Sequence, residues 1–358
     1  MTSGNPVSAA EALAAGAIDR IEDGDIVSAA VKYAEELVAE NAPLRRTHEM
    51  TIDAADYDEA YFAAFRKSIA RKTRGMHAPD RIIRCVEAAV SMPFADGVKF
   101  EREMTLECVA DPQSKALQHV FFAERQANKV PGLPKDVELK SINSVGMIGA
   151  GTMGGGISMN FANVGIPVTL LEMTQEALDK GLGIIRKNYE ASARKGRITD
   201  AQVEERMALL KGTTEYSDLA DADLVIEAVF EDMDIKKKVF TTLSETVRPD
   251  AILASNTSSL NIDEIATVVK NPERMLGMHF FSPANVMRLL EIVRAEKTAP
   301  EVLATVLKLG KTINKVGAVA GVCHGFIGNR MLSGYATQAN QLVMEGAAPE
   351  QVDSVLYN

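Results

Sequence analysis

The chain has 358 residues, of which 46% are hydrophobic and 25% charged, and its formal net charge is −10. That length holds two or three domains of ordinary globular composition. The negative balance argues against nucleic acid and anionic membranes as partners, and no apolar run reaches the roughly 20 residues of a membrane span.

Cys85, Cys108 and Cys323 are scattered, without CxxC spacing, and the five histidines are dispersed. Neither a disulfide framework nor a metal cluster is expected, and a reducing cytoplasm fits. No basic stretch followed by an apolar core opens the chain, so no secretion signal is expected.

In chain order, Asn5-Pro6 reads as a turn and Ser8 as a helix cap, with Glu11 at the capping-box position. Gly16 stops that helix, and Ile18 to Ile21 reads as a short extended piece. Apolar residues recurring at three and four predict helices over Ile26–Glu40, Tyr57–Lys72 and Arg81–Ser91. After Pro93 an amphipathic run extends from about Phe94 to Asn128, broken near Asp111-Pro112. Lys129 to Pro134 has the composition of a linker.

From Ser144 the pattern changes. A β-type run to Ile148 enters a glycine cluster in which Gly149, Gly151 and Gly154 fall on G-x-G-x-x-G spacing, and an apolar helix-like run, Ile157 to Val164, leaves it. A second β-type run, Pro167 to Leu171, ends on Glu172. This is the order of a dinucleotide-binding βαβ unit. Gly149 permits the tight turn, Gly151 lets a pyrophosphate approach the backbone, and Gly154 lets the helix lie close on the sheet. The helix N-terminus offers free N–H groups to phosphates. Glu172, about 20 residues on, can accept bonds from ribose hydroxyls and would repel a 2′-phosphate, which predicts NAD over NADP. The plain alternative is a glycine-rich turn without a ligand.

Helices over Gln175–Lys195 and Asp200–Leu210 then read as a hairpin whose turn carries Arg194, Lys195 and Arg197. A solvated basic turn is the simpler account; a perch for the 3′-phosphate of coenzyme A is the functional one. Buried-strand patterns follow at Ala222–Val229, Ala251–Ala254, Met275–Phe280, Leu289–Val293 and Val316–Val322. Strands alternating with helices predict an α/β fold with a doubly wound sheet, whose ligands bind outside the carboxyl ends of the strands. That topology groups Glu231, Ser258 and His279. Oxidising an alcohol with a nicotinamide needs a base at the hydroxyl, and histidine titrates in the right range. Its usual orienting partner is a carboxylate, which Glu291 supplies if the two strands are neighbours. Taken singly, His279 could equally be a satisfied strand-end histidine, and Ser258 an N-cap or a turn hydroxyl. Glu291 in an apolar strand favours a pair, because a lone buried carboxylate is costly. Cys323-His324 could suggest a metal or nucleophile pair, but neighbours on a strand point to opposite faces.

Several motifs now stand together: Gly149-Ala150-Gly151-Thr152-Met153-Gly154, Ile226-Glu227-Ala228-Val229-Phe230-Glu231, Ser255-Asn256-Thr257-Ser258-Ser259-Leu260, His279-Phe280-Phe281-Ser282-Pro283-Ala284-Asn285-Val286-Met287, and Gly325-Phe326-Ile327-Gly328-Asn329-Arg330. On these, residues from about Ser141 to the end resemble L-3-hydroxyacyl-CoA dehydrogenase, in the fused form that follows a hydratase domain. The resemblance implies His279 as base, Glu291 as its partner, and Ser258 and Asn329 as hydrogen-bonding the substrate oxygen. It implies that Met153, Glu172, Glu231, Lys236, Ser258 and Ser282 contact NAD. Glu172 stands where aspartate is common in the single-domain form, and Ser282 where asparagine is common; both keep a hydrogen-bonding group. The implied reaction is oxidation of a 3-hydroxyacyl-CoA to a 3-oxoacyl-CoA in fatty-acid β-oxidation.

The earlier part also carries a resemblance. Thr2-Ser3-Gly4 with Val7 to Leu13 and Gly16-Ala17-Ile18-Asp19, then Phe94-Ala95-Asp96-Gly97 and Phe121 to Arg125, look like the end of an enoyl-CoA hydratase/isomerase (crotonase-type) domain and its connecting segment. In that family the oxyanion hole and catalytic glutamates precede this stretch, so no hydratase residue is carried over and no hydratase activity is expected. The expected organisation is a helical crotonase-type region at 1–140, a Rossmann-type NAD-binding domain at 141–322, and at 323–358 the start of an all-α C-terminal domain. A truncated fragment is expected on these grounds. The resemblance further implies an acyl-CoA substrate and, for the full-length form, a homo-oligomer or an association with thiolase. Two rivals remain: a free 3-hydroxyacid dehydrogenase, which typically uses a lysine base, and a fragment that binds NAD without catalysis.

Overall fold

The computed structural model describes residues 1–50, 54–127, 129–134 and 136–357. Two compact units divide the chain after Phe122. The expected end of the amphipathic run at Asn128 lies outside the described residues.

The first unit is helical: α1 (Ala9–Ala14), α2 (Ile26–Ala39), α3 (Glu59–Ile69), α4 (Ala78–Ser91), α5 (Phe94–Ala110) and α6 (Pro112–Ala127, which runs past Phe122). The Ser8–Glu11 capping box forms as its spacing predicts, so two otherwise orphaned N–H donors at the start of α1 are satisfied. Ile18 to Ile21 forms no strand. Phe62, Pro79, Ile83, Ala88 and Met104 are the buried apolar residues of α3 to α5. Arg66 bridges Asp80 and Glu87, tying α3 to α4.

The second unit is the α/β part. Its elements are β1 (Val145–Ile148), α7 (Thr152–Ala162), β2 (Val168–Leu171), α8 (Gln175–Arg194), α9 (Asp200–Ala208), β3 (Leu210–Thr213), β4 (Leu224–Glu227), α10 (Met233–Thr246), β5 (Ile252–Ser255), α11 (Ile262–Ala266), β6 (Met275–Phe280), β7 (Leu289–Arg294), α12 (Pro300–Thr312), β8 (Val316–Gly321), α13 (Gly328–Met344) and α14 (Pro349–Tyr357). The strand order is β3-β2-β1-β4-β5-β6-β7-β8, and every pairing is parallel except β6 with β7. The order reverses between β1 and β4, which is the switch point of a doubly wound sheet and the place where such sheets bind ligands.

Alternate residues of the central strands serve two cores. Val145, Met147, Leu224, Ile226, Ile252 and Ala254 face Phe161, Leu178, Ile185, Val302 and Val306 from α7, α8 and α12. Ile148, Val225 and Leu253 face Phe240, Leu243, Ile262 and Ile265 from α10 and α11. Burial on both sides explains the near-continuous apolar reading of these strands. Two sequence expectations shift. Leu210, taken as the end of a helix, begins β3, a polar edge strand (Lys211, Gly212, Thr213) with too little apolar pattern to be read as one. Cys323 and His324 lie beyond β8 rather than on it, so strand alternation does not govern them.

The turn from β1 into α7 depends on missing side chains. Gly149 has φ +95°, and a Cβ there would come 2.8 Å from the Ala228 carbonyl oxygen. At Gly154 a Cβ would lie 1.8 Å from the Gly149 carbonyl oxygen, so α7 can approach the strand only with glycine there. Gly154→Ala should therefore destabilise the fold by about 3 kcal/mol in urea unfolding. Gly183→Ala, on α8 where nothing lies within 4 Å of the added carbon, should stabilise by about 0.5 kcal/mol.

Candidate active site

A groove of about 420 Å³ opens at the switch point, lined by Gly149, Gly151, Met153, Glu172, Tyr216 and Val229 among others. The first turn of α7 faces it with Gly151 as N-cap and no side-chain cap, so its amides stay open to an anion. Nothing lies within 4 Å of a Cβ built on Gly151. An open glycine cradle, uncapped amides and a carboxylate at the second strand fit a dinucleotide. Glu172 Oε1 accepts from Ala150 N–H at 2.7 Å and Oε2 from Met173 N–H at 3.2 Å, so the carboxylate is tied to the glycine turn itself. Gly154 sits buried behind the groove.

Beyond the groove, the ends of β4 and β5 hold a buried ionic cluster. Glu227, fully buried, accepts from Lys236 Nζ at 2.6 Å, Val229 N–H at 2.7 Å and Ser255 Oγ at 2.7 Å. Lys236, 1% exposed, also lies 3.4 Å from Glu231. Lys236 thus lies beneath the surface, its ammonium held by two carboxylates. Glu231 Oε1 accepts from Thr257 Oγ1 (2.7 Å), Ser258 N–H (2.8 Å) and Ser258 Oγ (3.0 Å). Partial burial raises the Glu231 pKa, but the donors Thr257 and Ser258 and the Lys236 charge together hold it below the usual carboxylate range.

His279 and Glu291 are direct cross-strand partners on β6 and β7. His279 Nδ1 lies 2.7 Å from Glu291 Oε2, with His279 5% exposed and Glu291 fully buried. The other carboxylate oxygen accepts from Gly328 N–H at 2.6 Å and Ile327 N–H at 3.2 Å. These amides are turned inward by left-handed backbone at Gly325 (φ +72°) and Phe326 (φ +48°). A Cβ on Gly328 would lie 3.0 Å from Phe281 Cζ, so it is the ring beside His279 that crowds this position, while Glu291 Oε1 at 3.4 Å would be in ordinary contact. The His279 ring packs against Phe281 (4.5 Å between centroids) and Phe326 (5.8 Å).

The next residue closes the circuit. Asn329 Nδ2 donates to the Ser258 carbonyl at 3.4 Å, and Asn256 Oδ1 accepts from Phe280 N–H at 2.8 Å. His279, Glu291, Asn329, Ser258, Glu231 and Lys236 therefore belong to one continuous network, whereas Ser282 stands apart, exposed in the loop after β6. Glu227 and Asn256 were not expected from the sequence. The signal for Glu227 was present: a carboxylate in the apolar run Leu224-Val225-Ile226, with a lysine nine residues on. Arg194, Lys195 and Arg197 are exposed at the end of α8 and the turn after it. Among the described residues no cluster of three or more potential metal ligands occurs, and no helix is long and apolar enough to cross a membrane.

Residues 144–323 match the family described as 3-hydroxyacyl-CoA dehydrogenase, NAD binding domain, and residues 325–358 match its C-terminal domain. The chain belongs to the 3-hydroxyacyl-CoA dehydrogenase family. NAD is accordingly its cofactor, and the family is one of NAD-dependent oxidoreductases. A peroxisomal bifunctional enzyme of Cavia porcellus is 39% identical over 99% of this chain and 49% of that protein. A peroxisomal fatty acid beta-oxidation multifunctional protein of Arabidopsis thaliana is 34% identical over 98% of the chain and 49% of that protein. The chain thus spans about half the length of the curated relatives it matches. The crystal structure of a (S)-3-hydroxybutyryl-CoA dehydrogenase from Ralstonia eutropha superposes with a TM-score of 0.58 and 37% identity, covering 59% of this chain and 75% of that one. The relatives' peroxisomal names lend the expected cytoplasmic location no support.

Removing one member of the Glu227–Lys236 pair leaves the other buried without its main partner. Glu227→Gln should cost about 3 kcal/mol in urea unfolding. Lys236→Met with Glu227→Leu should cost less than the two single changes summed.

Proposed function

We propose that the chain oxidises an L-3-hydroxyacyl-CoA to the 3-oxoacyl-CoA, with His279 as general base. The observation that carries this is the buried His279–Glu291 contact of 2.7 Å at the end of β6. Facing a carboxylate, Nδ1 carries the ring hydrogen and Nε2 keeps its lone pair for the substrate hydroxyl. Bound NAD supplies the acceptor for the hydride that leaves C3. His279 Nε2 takes the hydroxyl proton in the same event, and Glu291 stabilises the imidazolium that results. The Phe281 and Phe326 rings pack against the imidazole and hold its orientation. Ser258 and Asn329, linked to each other, orient the substrate oxygen as it becomes a carbonyl.

On the cofactor side, Gly149, Gly151 and Gly154 form the cradle, with Met153 and Glu172 at the groove. Glu231, Ser258 and Ser282 complete the contacts, and Lys236 acts by fixing Glu231. Residues 1–140 are read as the end of a crotonase-type domain with its linker, 141–322 as the NAD-binding domain and 323–358 as the start of the helical domain. An acyl-CoA thioester is the proposed substrate, in β-oxidation, as the names of the relatives suggest for those proteins. Association into an oligomer or with thiolase, and location in the reducing compartment that free, separated thiols fit, belong to the same reading.

His279→Gln should lower turnover on 3-hydroxybutyryl-CoA, followed by NADH absorbance, on the order of a thousandfold while NADH still binds. Near wild-type turnover in that variant would remove His279 from the role. The wild-type chain should leave free 3-hydroxybutyrate untouched; oxidation of the free acid would favour the rival substrate class, and NADH binding with no turnover on either would favour the inactive fragment.

A further inference from the structure

Behind the loop that follows His279 lies a buried ammonium which no carboxylate faces among the described residues. Lys315, 7% exposed, immediately precedes β8. Its Nζ donates to the carbonyl oxygens of Ala284 at 2.7 Å and Met287 at 2.8 Å. Burial pushes its pKa down from the ordinary lysine range. Taking a cation out of water without an opposite charge is unfavourable, so this arrangement needs a return elsewhere.

The Ala284 carbonyl has a second donor. Asn160, 5% exposed on α7, gives Nδ2 to Ala284 O at 3.1 Å and to Gly156 O at 3.1 Å. Ala284 itself is 1% exposed and sits against α7 so closely that a Cβ on Gly156 would be 3.2 Å from its side chain. The segment between is closed on itself, since Val286 N–H and Met287 N–H both donate to Pro283 O at 2.9 and 3.0 Å. One carbonyl is therefore gripped from the cofactor helix and from the start of β8, two residues after Ser282 and five after His279.

We propose that Lys315 and Asn160 are positioning residues for NAD, clamping the Ala284 carbonyl so that Ser282 is presented at a fixed place relative to α7. The inference rests on the reading that Ser282 contacts NAD. The loop's own hydrogen bonds fold it on itself, and two donors on separate elements fix it relative to α7. Lysine suits the task because one ammonium reaches two carbonyls from a long apolar stem. The same clamp ties the loop after the base to the helix at the glycine turn, so cofactor and base are held in one frame.

The test titrates NADH into the 358-residue chain by fluorescence and compares Lys315→Met, Lys315→Arg, Ser282→Ala and the double variant Lys315→Met/Ser282→Ala. Lys315→Met should weaken NADH about tenfold, and on the Ser282→Ala background it should add less than about twofold. Lys315→Arg, which keeps the donors, should recover most of the affinity. In turnover assays KM for NAD should rise in Lys315→Met while kcat at saturating NAD changes little. NADH affinity unchanged in Lys315→Met while Ser282→Ala weakens it would overturn the clamp alone, as would full additivity in the double variant. Unchanged affinity in Ser282→Ala would overturn the Ser282 reading and the clamp's route with it. Should Lys315→Met fail to fold, Asn160→Ser removes one donor and leaves the lysine; it should weaken NADH by a smaller factor, and unaltered affinity there would overturn the proposal.

Discussion

The carboxylate of Glu291 is the constraint on which the second unit turns. It is fully buried, and an ionised group in that position persists only if each oxygen is occupied. One oxygen meets His279, and the other takes the Gly328 and Ile327 amides. Meeting these demands dictates much else. β7 must run against β6 so that Glu291 stands opposite His279. The chain after β8 must turn through left-handed Gly325 and Phe326. Asn329 then arrives at Ser258 as the residue that follows Gly328.

A second buried carboxylate, Glu227, plays a parallel part at the end of β4. Its three donors come from a lysine on α10, a serine on β5 and the backbone of the loop that leaves β4. The two glutamates differ in what they hold. Glu227 neutralises Lys236 and so sets the charge around Glu231, whereas Glu291 leaves one nitrogen of His279 free to act. Between them runs the Ser255–Ser259 loop, fastened at Glu231 on one side and Asn329 on the other. The site is therefore a chain of side chain and backbone contacts, each anchored to a strand end.

The parts of this arrangement that were legible in the sequence are those with a short-range signature. The glycine spacing, the flanking strands and Glu172 lie within one βαβ unit, so periodicity and turn chemistry suffice to find them. His279 and Glu291 were recognisable as a base and a buried acid, but their meeting depends on the one antiparallel pairing in the sheet, which no local pattern encodes. β3 was lost because an edge strand need not be apolar. Glu227 escaped although the reasoning applied to Glu291 fits it equally well. Asn160 and Lys315 are 155 positions apart, and only the packing of α7 against the loop after β6 brings them to one carbonyl.

The antiparallel pairing of β6 with β7 has a consequence for how the sheet assembles. Neighbouring residues of β7 are Leu290 and Ile292, both apolar and fully buried. By hydrophobicity alone, a hairpin slipped by one position would look nearly as good, since either neighbour could lie opposite His279. What separates the two alignments is that slippage would carry Glu291 to the opposite face, away from the histidine and from the Ile327 and Gly328 amides. The pair that performs the chemistry thus also tells the growing sheet which alignment is correct, and the wrong alignment is rejected by an unmatched charge rather than by a poor fit of side chains.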